Sequence, residues 1–156
     1  MLFTYLSFSI SIIFISFIVG MIMTTLIRKT EFYSKKLSNL NFVKNEMTNK
    51  ILGVEVIKWM IKNTFFKFLN PKLKFDKKMN ISDVKTIRKE MTKAEIDHLF
   101  ALIFVSVIII WKIYNQEYLL AFIIFLINIV MNLLPSLLQQ QNKRRIDKLI
   151  LKFETN

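Results

Sequence analysis

An uncharged apolar run near the N-terminus places the strongest constraint on how this chain can fold. Residues 2–27 contain no Asp, Glu, Lys or Arg. At about 1.5 Å of rise per residue, a helix over this run crosses the roughly 30 Å of hydrocarbon in a bilayer. No basic residue precedes the run, and Arg28 and Lys29 follow it where a signal peptide would have a small-residue cleavage site. Residues 1–27 are therefore predicted to form an uncleaved transmembrane anchor.

Two further apolar stretches lie near the C-terminus. Residues 98–114 and 118–138 are separated by the short polar sequence Asn115, Gln116 and Glu117, which is typical of a tight turn. Lys112 is close enough to this turn for its long side chain to reach the head groups. The predicted fold is an all-α membrane protein with three transmembrane helices, an N-terminal anchor and a C-terminal hairpin over residues 98–138.

The positive charge of the chain is concentrated between and after these spans. The net charge is +12, carried mainly by residues 28–97 and by the basic tail over residues 139–156. Basic flanks remain on the cytoplasmic side of a membrane. We therefore expect the N-terminus to lie outside, with residues 28–97 and the C-terminus in the cytoplasm. Three spans require the termini to lie on opposite sides, in agreement with this charge distribution.

An amphipathic helix is predicted within the cytoplasmic segment, at about residues 51–69. Glu55, Lys58 and Lys62 fall on one helical face, and the opposite face is apolar. Such a helix, with Trp59 at the acyl boundary, is expected to lie in the membrane interface and to contact anionic lipids. Two shorter predictions follow: a helix over residues 81–90 that starts at Ser82, and another that starts at Thr92 and continues into the second span.

The composition excludes several classes of function. The chain has no cysteine and only two glycines, so it carries neither thiolate chemistry nor a glycine-rich phosphate loop. Its basic pI would suit a DNA-binding protein, but no zinc-finger, basic-zipper or RNA-binding motif accompanies the charge. We therefore expect no nucleic-acid partner, and no cofactor is indicated.

Polar residues that suggest a reaction site cluster where the hairpin meets the cytoplasm. Glu95 and His98, the only histidine, are three residues apart and so share one helical face. Asn128 and Asn132 share a face of the returning helix, at a depth where amides need partners within the protein. A polar, basic continuation follows, and it could hold a phosphate-bearing ligand: Gln139, Gln140, Gln141, Asn142, Lys143, Arg144 and Arg145.

Each of these features also has a structural explanation. Thr92 and Glu95 fit a capping box, and His98 fits an interfacial anchor. Asn128 and Asn132 fit helix–helix contacts, and the basic run fits an ordinary cytoplasmic flank. A Glu-x-x-His pair can bind metal in helical bundles, but that architecture repeats the motif and this chain has no second histidine. No metal site is predicted.

The same polar residues carry a family resemblance. Glu95, His98, Asn132, Pro135, Gln139, Asn142 and Arg145 stand where an A-E-x-x-H helix and an N-x-x-P-x-x-x-Q-R-Y-N-R-x-R signature would place them. These motifs resemble the glycosyl-4,4'-diaponeurosporenoate acyltransferase family of small bacterial membrane proteins. The sequence Ile57-Lys58-Trp59 is similar to a basic-Trp element of that family, so the resemblance covers roughly residues 54–150. It implies a location in the bacterial cytoplasmic (inner) membrane.

The chain departs from the family signature at its basic end. Gln140 and Gln141 replace the usual Arg-Tyr, Lys143 replaces an Arg, and Arg144 stands at the variable position. If the usual Arg-Tyr recognises the donor or the acceptor, this chain uses a different one or has lost catalysis.

The resemblance implies transfer of an acyl group from a thioester, of coenzyme A or acyl carrier protein, to a hydroxyl of a lipid-like acceptor. His98 is expected to be the general base, with Glu95 orienting it. Asn132 and Gln139 are expected to stabilise the oxyanion. Lys143 and Arg145 are expected to bind the phosphate of the donor, and Asn142 is also expected to contact substrate. Trp59 is expected to cover the lateral entrance for the lipid substrate.

A non-catalytic role is the alternative. In that case the hairpin and basic loop only pack against other membrane proteins, as in a small subunit or assembly factor. Either role leaves a homo-oligomer or a larger membrane complex open. Catalysis predicts that Glu95 and His98 face an accessible cavity, whereas a packing role predicts that they contact a neighbouring side chain.

Overall fold

The computed structural model describes residues 1–43, 45–63 and 80–155, and every regular element in these ranges is helical. The α-helices are α1 (Leu2–Ile27), α2 (Glu31–Lys35), α3 (Glu46–Ile51), α4 (Val54–Asn63), α5 (Ile81–Tyr114), α6 (Tyr118–Asn128) and α7 (Leu134–Thr155). A 3₁₀ turn covers Leu37–Asn39, and a π-helical segment, Ile129–Leu133, joins α6 to α7.

Three helical stretches in the described ranges are long and apolar enough to cross a membrane: Leu2–Ile27, Ile81–Tyr114 and Tyr118–Thr155. The all-α, three-span fold predicted from the sequence is confirmed. The polar turn at residues 115–117 separates the second and third of these helices, and Gln116 adopts a left-handed conformation there with φ of 62°. The opposite end of the bundle, which we term the basic end, carries the described residues 28–43, 45–63, 80–97 and 139–155.

Helix α5 is continuous where the sequence predicted two helices. It begins after Asn80, whose side chain accepts from the Asp83 N–H, while the Asp83 carboxylate accepts from the Asn80 N–H. This capping box takes the place of the predicted start at Ser82. The predicted capping box at Thr92 is wrong, because Thr92 lies within the helix and its hydroxyl donates to the Arg88 carbonyl. Helix α5 therefore extends about 25 Å, at 1.5 Å per residue, beyond the predicted span at the basic end.

Helices α1 and α5 approach each other very closely at Gly20. A Cβ atom added there would lie 2.1 Å from the Asp97 carbonyl oxygen, a distance that no side chain tolerates. Beyond this contact, Ile13, Val105 and Ile124 are buried together in the core between the three long helices. The small residue at the crossing allows the two backbones into contact, as is usual for helices packed in membranes.

The third span changes its helical pitch before Pro135. The Leu134 N–H bonds to the Ile129 carbonyl, five residues back, and Pro135 has no N–H with which to continue the ladder. A π-helical segment of this kind re-aims the side chains on it and is frequent at functional sites. Asn132 lies on this segment.

Helix α4 covers part of the predicted amphipathic helix; residues 64–69 of that prediction lie outside the described residues. Gly53, with φ of 83°, interrupts the helix between α3 and α4. Helix α4 therefore starts at Val54 rather than at residue 51. Val54 and Ile57 belong to the apolar face that was expected to contact lipid. That expectation is wrong for these two side chains, because they are buried against Leu137 and Leu138 of α7. Large apolar side chains of α3 and α4 are exposed: Met47, Ile51, Val56 and Trp59.

Candidate functional site

Glu95 is the most deeply buried charged residue of the predicted site. It has no solvent exposure, and its carboxylate accepts from Gln140 Nε2 at 2.9 Å and from Lys143 Nζ at 2.6 Å. Lys143 is itself only 4% exposed. A buried carboxylate needs such partners, because an unpaired charge in this environment costs several kcal/mol. Glu95 therefore connects α5 to α7 at the basic end of the bundle.

The residues that depart from the family signature hold the loop after α2 in place. Gln140 accepts from the Phe42 N–H at 2.9 Å, and Lys143 donates to the Ser38 carbonyl at 3.1 Å. Arg144 donates to the Asn41 side chain and to the Val43 carbonyl. Three of the four altered positions thus fix residues 38–43 against α7. The fourth, Gln141, is buried, and its Oε1 has no hydrogen-bond partner among the described residues.

His98 lies on α5 beside α1 and the π-helical segment. Its ring packs edge-to-face on Phe17, with 5.6 Å between ring centroids, and the Asn132 side chain is a polar neighbour. Across the described ranges, His98 Nδ1 is buried and completes no hydrogen bond. Glu95 is bonded elsewhere, so the two residues predicted to act as a pair share a helix but do not contact through hydrogen bonds.

The asparagines form a polar network at the centre of the bundle. Asn132 Nδ2 donates to Asn128 Oδ1 at 2.8 Å and to Ser16 Oγ at 3.4 Å. Asn128 Nδ2 in turn donates to the Leu102 carbonyl at 3.3 Å. The predicted shared face of Asn128 and Asn132 is confirmed, and the network connects all three long helices. Asn132 Oδ1 is buried and has no other partner in the described part of the chain.

The remaining predicted substrate contacts lie nearer the surface. Gln139 and Asn142 are half-buried on α7, and Arg145 is exposed. Lys148 and Lys152 are also exposed and follow Arg145 at helical spacing, so the three cations form one basic stripe. Trp59 is 61% exposed on α4. The structure thus separates exposed cations from the buried Lys143.

Helix α1 supplies contacts that the sequence did not identify. Ser16, Phe17 and Gly20 contact Asn132, His98 and Asp97 respectively. The available signal was the spacing of small and hydroxylated residues along an otherwise large apolar run: Ser9, Ser16, Gly20 and Thr24 all lie on the buried face. That spacing marks one helical stripe suited to close packing.

His98 does not line the apolar groove on α5. This groove of about 250 Å³ lies on another face of α5, lined by Leu37, Leu40, Phe42, Ile96, Leu99, Phe100 and Ile103. Within the described ranges, no group of three or more His, Cys, Asp or Glu side chains is placed to hold a metal ion. The chemistry available at His98 is that of an imidazole, buried amides and hydroxyls.

A comparison with protein-family models matches residues 29–152 to glycosyl-4,4'-diaponeurosporenoate acyltransferase. The match begins just after α1 and includes Glu95, His98, Asn132 and the basic residues of α7. No curated protein and no solved structure matches the chain. The match and the three apolar helices identify an integral membrane protein of a family that implies acyl transfer in carotenoid-related biosynthesis. The chain belongs to the glycosyl-4,4'-diaponeurosporenoate acyltransferase family.

Proposed function

We propose that this protein transfers an acyl group from a thioester donor to a hydroxyl of a lipid-like, glycosylated acceptor at the cytoplasmic face of the bacterial inner membrane. The observation that carries the proposal is the environment of His98. It is the only histidine of the chain, it lies near the basic end of the spans, and its Nδ1 is buried without a completed hydrogen bond among the described residues. Family membership supports the reaction class.

His98 is the general base of this reaction. Its imidazole accepts the proton of the acceptor hydroxyl as that oxygen attacks the thioester carbonyl carbon. The carbon–sulfur bond then breaks, and the thiolate takes the proton from the imidazolium. The products are an ester and a free thiol. Histidine suits this exchange because it gains and loses a proton near neutral pH.

Gln139 is the side chain that best fits stabilisation of the oxyanion. It is half-buried on α7, and its amide makes no side-chain hydrogen bond within the described residues. Asn132 was expected to share this role, but its Nδ2 already donates to Asn128 and Ser16. A donor that is already committed cannot also strengthen its bond to a developing negative charge.

Glu95 and Lys143 support the site through the fold and do not contact substrate in this proposal. Their ion pair is buried and shared with Gln140 and the Ser38 carbonyl. The donor phosphate binds instead to the basic stripe of Arg145, Lys148 and Lys152, where the cations are exposed. The exposed apolar side chains of α3 and α4, Trp59 among them, lie in the membrane interface near the lipid entrance.

The burial of Glu95 favours one competing function, that of a non-catalytic subunit. Glu95 contacts neighbouring side chains rather than a cavity, which is the arrangement expected of a packing role. In that case His98 is also a packing residue. The two functions make opposite predictions for a substitution that removes only the proton acceptor.

The test is the lipid product formed by purified wild-type and His98→Gln protein in equal, monodisperse amounts with an acyl-CoA and a glycosylated lipid alcohol. Glutamine keeps hydrogen bonding but cannot accept the proton, so turnover should fall about a hundredfold or more. Asn115→Gln, in the exposed turn at the opposite end, is the control and should retain activity. Full activity of His98→Gln would exclude the mechanism, and absence of product from folded wild-type protein would favour the non-catalytic function.

A further inference from the structure

We propose that Ser16 of α1 is a positioning residue that, through Asn132, holds His98 in the tautomer protonated on Nδ1 and leaves Nε2 as the proton acceptor. The inference rests on the proposed function only for its catalytic consequence, because the tautomer can be measured without substrate. It also gives α1 a role in the site, although α1 precedes the residues matched to the family.

The backbone carbonyls of Ile13 and Leu102 lie at the two ends of the polar network, and they determine which group donates in each hydrogen bond. The Ile13 and Leu102 carbonyls can only accept. The Ser16 hydroxyl donates to the Ile13 carbonyl at 2.7 Å, so its lone pairs face Asn132. Asn128 donates its amide to the Leu102 carbonyl, so its Oδ1 faces Asn132. Both flanking groups therefore require a donor from Asn132.

This requirement fixes the orientation of the Asn132 amide. Its two N–H bonds are directed to Asn128 Oδ1 and Ser16 Oγ. A flipped amide would set its oxygen against Asn128 Oδ1, and the Ser16 hydroxyl could bond to it only by leaving the Ile13 carbonyl. Asn132 is fully buried, so water cannot compensate for the flip. The remaining polar atom of the side chain, Oδ1, is an acceptor.

The His98 imidazole is the neighbour that can satisfy this acceptor. Asn132 Oδ1 and His98 Nδ1 are both buried, and neither completes another hydrogen bond in the described ranges. A proton on Nδ1 satisfies both atoms, whereas a lone pair on Nδ1 would face the amide oxygen and leave both unsatisfied. Edge-to-face packing on Phe17 restricts rotation of the ring away from this arrangement.

The experiment uses the fact that His98 is the only histidine. Protein labelled with ¹⁵N-histidine, in lipid nanodiscs and at a pH where the imidazole is neutral, gives Nδ1 and Nε2 signals from this side chain alone. Wild-type protein should show a protonated Nδ1 and an unprotonated Nε2. Ser16→Ala removes one of the two groups that orient Asn132, so the ratio of the two tautomers should shift about threefold towards protonation on Nε2.

Ser9→Ala provides a matched control. Ser9 is also fully buried on α1, and its hydroxyl donates to a carbonyl of its own helix at the same 2.7 Å distance, but it does not contact the network. Its removal should leave the tautomer unchanged. Asn128→Val, which removes the other acceptor, should shift the ratio in the same direction as Ser16→Ala, and it provides the test if Ser16→Ala does not fold.

A wild-type imidazole protonated on Nε2 would overturn the inference, as would equal shifts in Ser9→Ala and Ser16→Ala. Neither outcome depends on whether the protein transfers acyl groups. Conversely, a protonated Nδ1 in wild-type protein that forms no lipid product would exclude the proposed function and leave the positioning role of Ser16 intact.

Discussion

Lys143 Nζ lies 2.6 Å from Glu95 Oε2, and the two side chains are 4% and 0% exposed. The pair joins α5 to α7 and, through the Ser38 carbonyl, to the loop after α2. Burial of two opposite charges contributes little net stability, but loss of one partner leaves the other charge buried without compensation. Lys143 is thus a structural cation, distinct from the exposed cations of the basic stripe.

Lys143→Met should lower the free energy of unfolding in detergent by about 3 kcal/mol, because it leaves the Glu95 carboxylate unpaired. Lys93→Met is the control: Lys93 pairs with Asp97 at 3.0 Å but is 34% exposed, so its loss should cost well under 1 kcal/mol. Adding Glu95→Gln to Lys143→Met should recover most of the loss. Equal effects of the two single substitutions would contradict the structural role of Lys143.

Gly20→Ala should destabilise the bundle because its Cβ would lie 2.1 Å from the Asp97 carbonyl oxygen. Separation of α1 from α5 is expected to cost about 1–3 kcal/mol, as for other overpacked interfaces. Ser11→Ala, on the exposed side of α1, should leave the unfolding midpoint unchanged. If Gly20→Ala unfolds at the wild-type midpoint, α1 does not pack on α5 in the manner described.

The number of membrane-spanning helices could be predicted from sequence, because long uncharged runs have few alternatives to a membrane. The hydrogen-bond partners of Glu95 could not be predicted in this way. Spacing places Glu95 and His98 on one helical face, but the packing of α7 decides which groups reach the carboxylate, and these are Gln140 and Lys143. Thr92 followed by Glu95 fits a capping box in any sequence, and only the continuity of α5 shows that no helix starts there.

The role of α1 in the site could not be predicted from the sequence for a similar reason. A helix that is apolar on all sides has no polar face, so its hydrophobic periodicity does not indicate which side is buried. Ser16 and Gly20 are informative only once their spacing is compared with what packs against them. Likewise, Pro135 indicates a break in helical hydrogen bonding, but not that the preceding turn widens into a π-helix that carries Asn132.

The orientation of the chain can be tested with single cysteines, since the natural sequence has none. Charge asymmetry predicts that Gln116→Cys, in the exposed turn, reacts with an impermeant maleimide in intact cells and that Ser34→Cys does not. Both should react after the membrane is permeabilised, which controls for accessibility. Labelling of Ser34→Cys alone in intact cells would reverse the proposed topology and place the site outside.

Alkaline pH should destabilise the basic end through Tyr33. Burial raises the pKa of the Tyr33 phenol, and the carboxylates of Asp97 and Glu95 raise it further while Arg28 partly offsets them. The folded protein therefore holds this proton more tightly than the unfolded chain. The resulting stability is present below the unfolded pKa of about 10 and is lost as the pH rises through the folded value.

Unfolding midpoints measured across this alkaline range should fall more steeply in wild-type protein than in Tyr33→Phe, which has no proton to lose. Tyr114→Phe, at an exposed position near the turn, should follow the wild-type curve. Parallel curves for wild-type protein and Tyr33→Phe would show that this phenol does not contribute to the pH dependence.

Trp59 tests whether the exposed face of α3 and α4 contacts lipid. The apolar residues Met47, Ile51, Val56 and Trp59 are exposed on the described surface, and an interfacial helix would bury such a face at the acyl boundary. The chain has two tryptophans, so in a Trp111→Phe background the fluorescence reports Trp59 alone. Lipids brominated high in the acyl chain should quench it more strongly than lipids brominated near the chain end.

Val56→Glu in the same background should reduce this quenching, because a carboxylate on the face opposes its burial in the acyl boundary. Val56→Leu keeps the face apolar and should retain the wild-type quenching profile. Quenching that is absent from the Trp111→Phe protein, or that is equal in the two Val56 variants, would indicate that this face is turned away from the membrane. The exposed apolar residues would then be available to another protein, as the non-catalytic function requires.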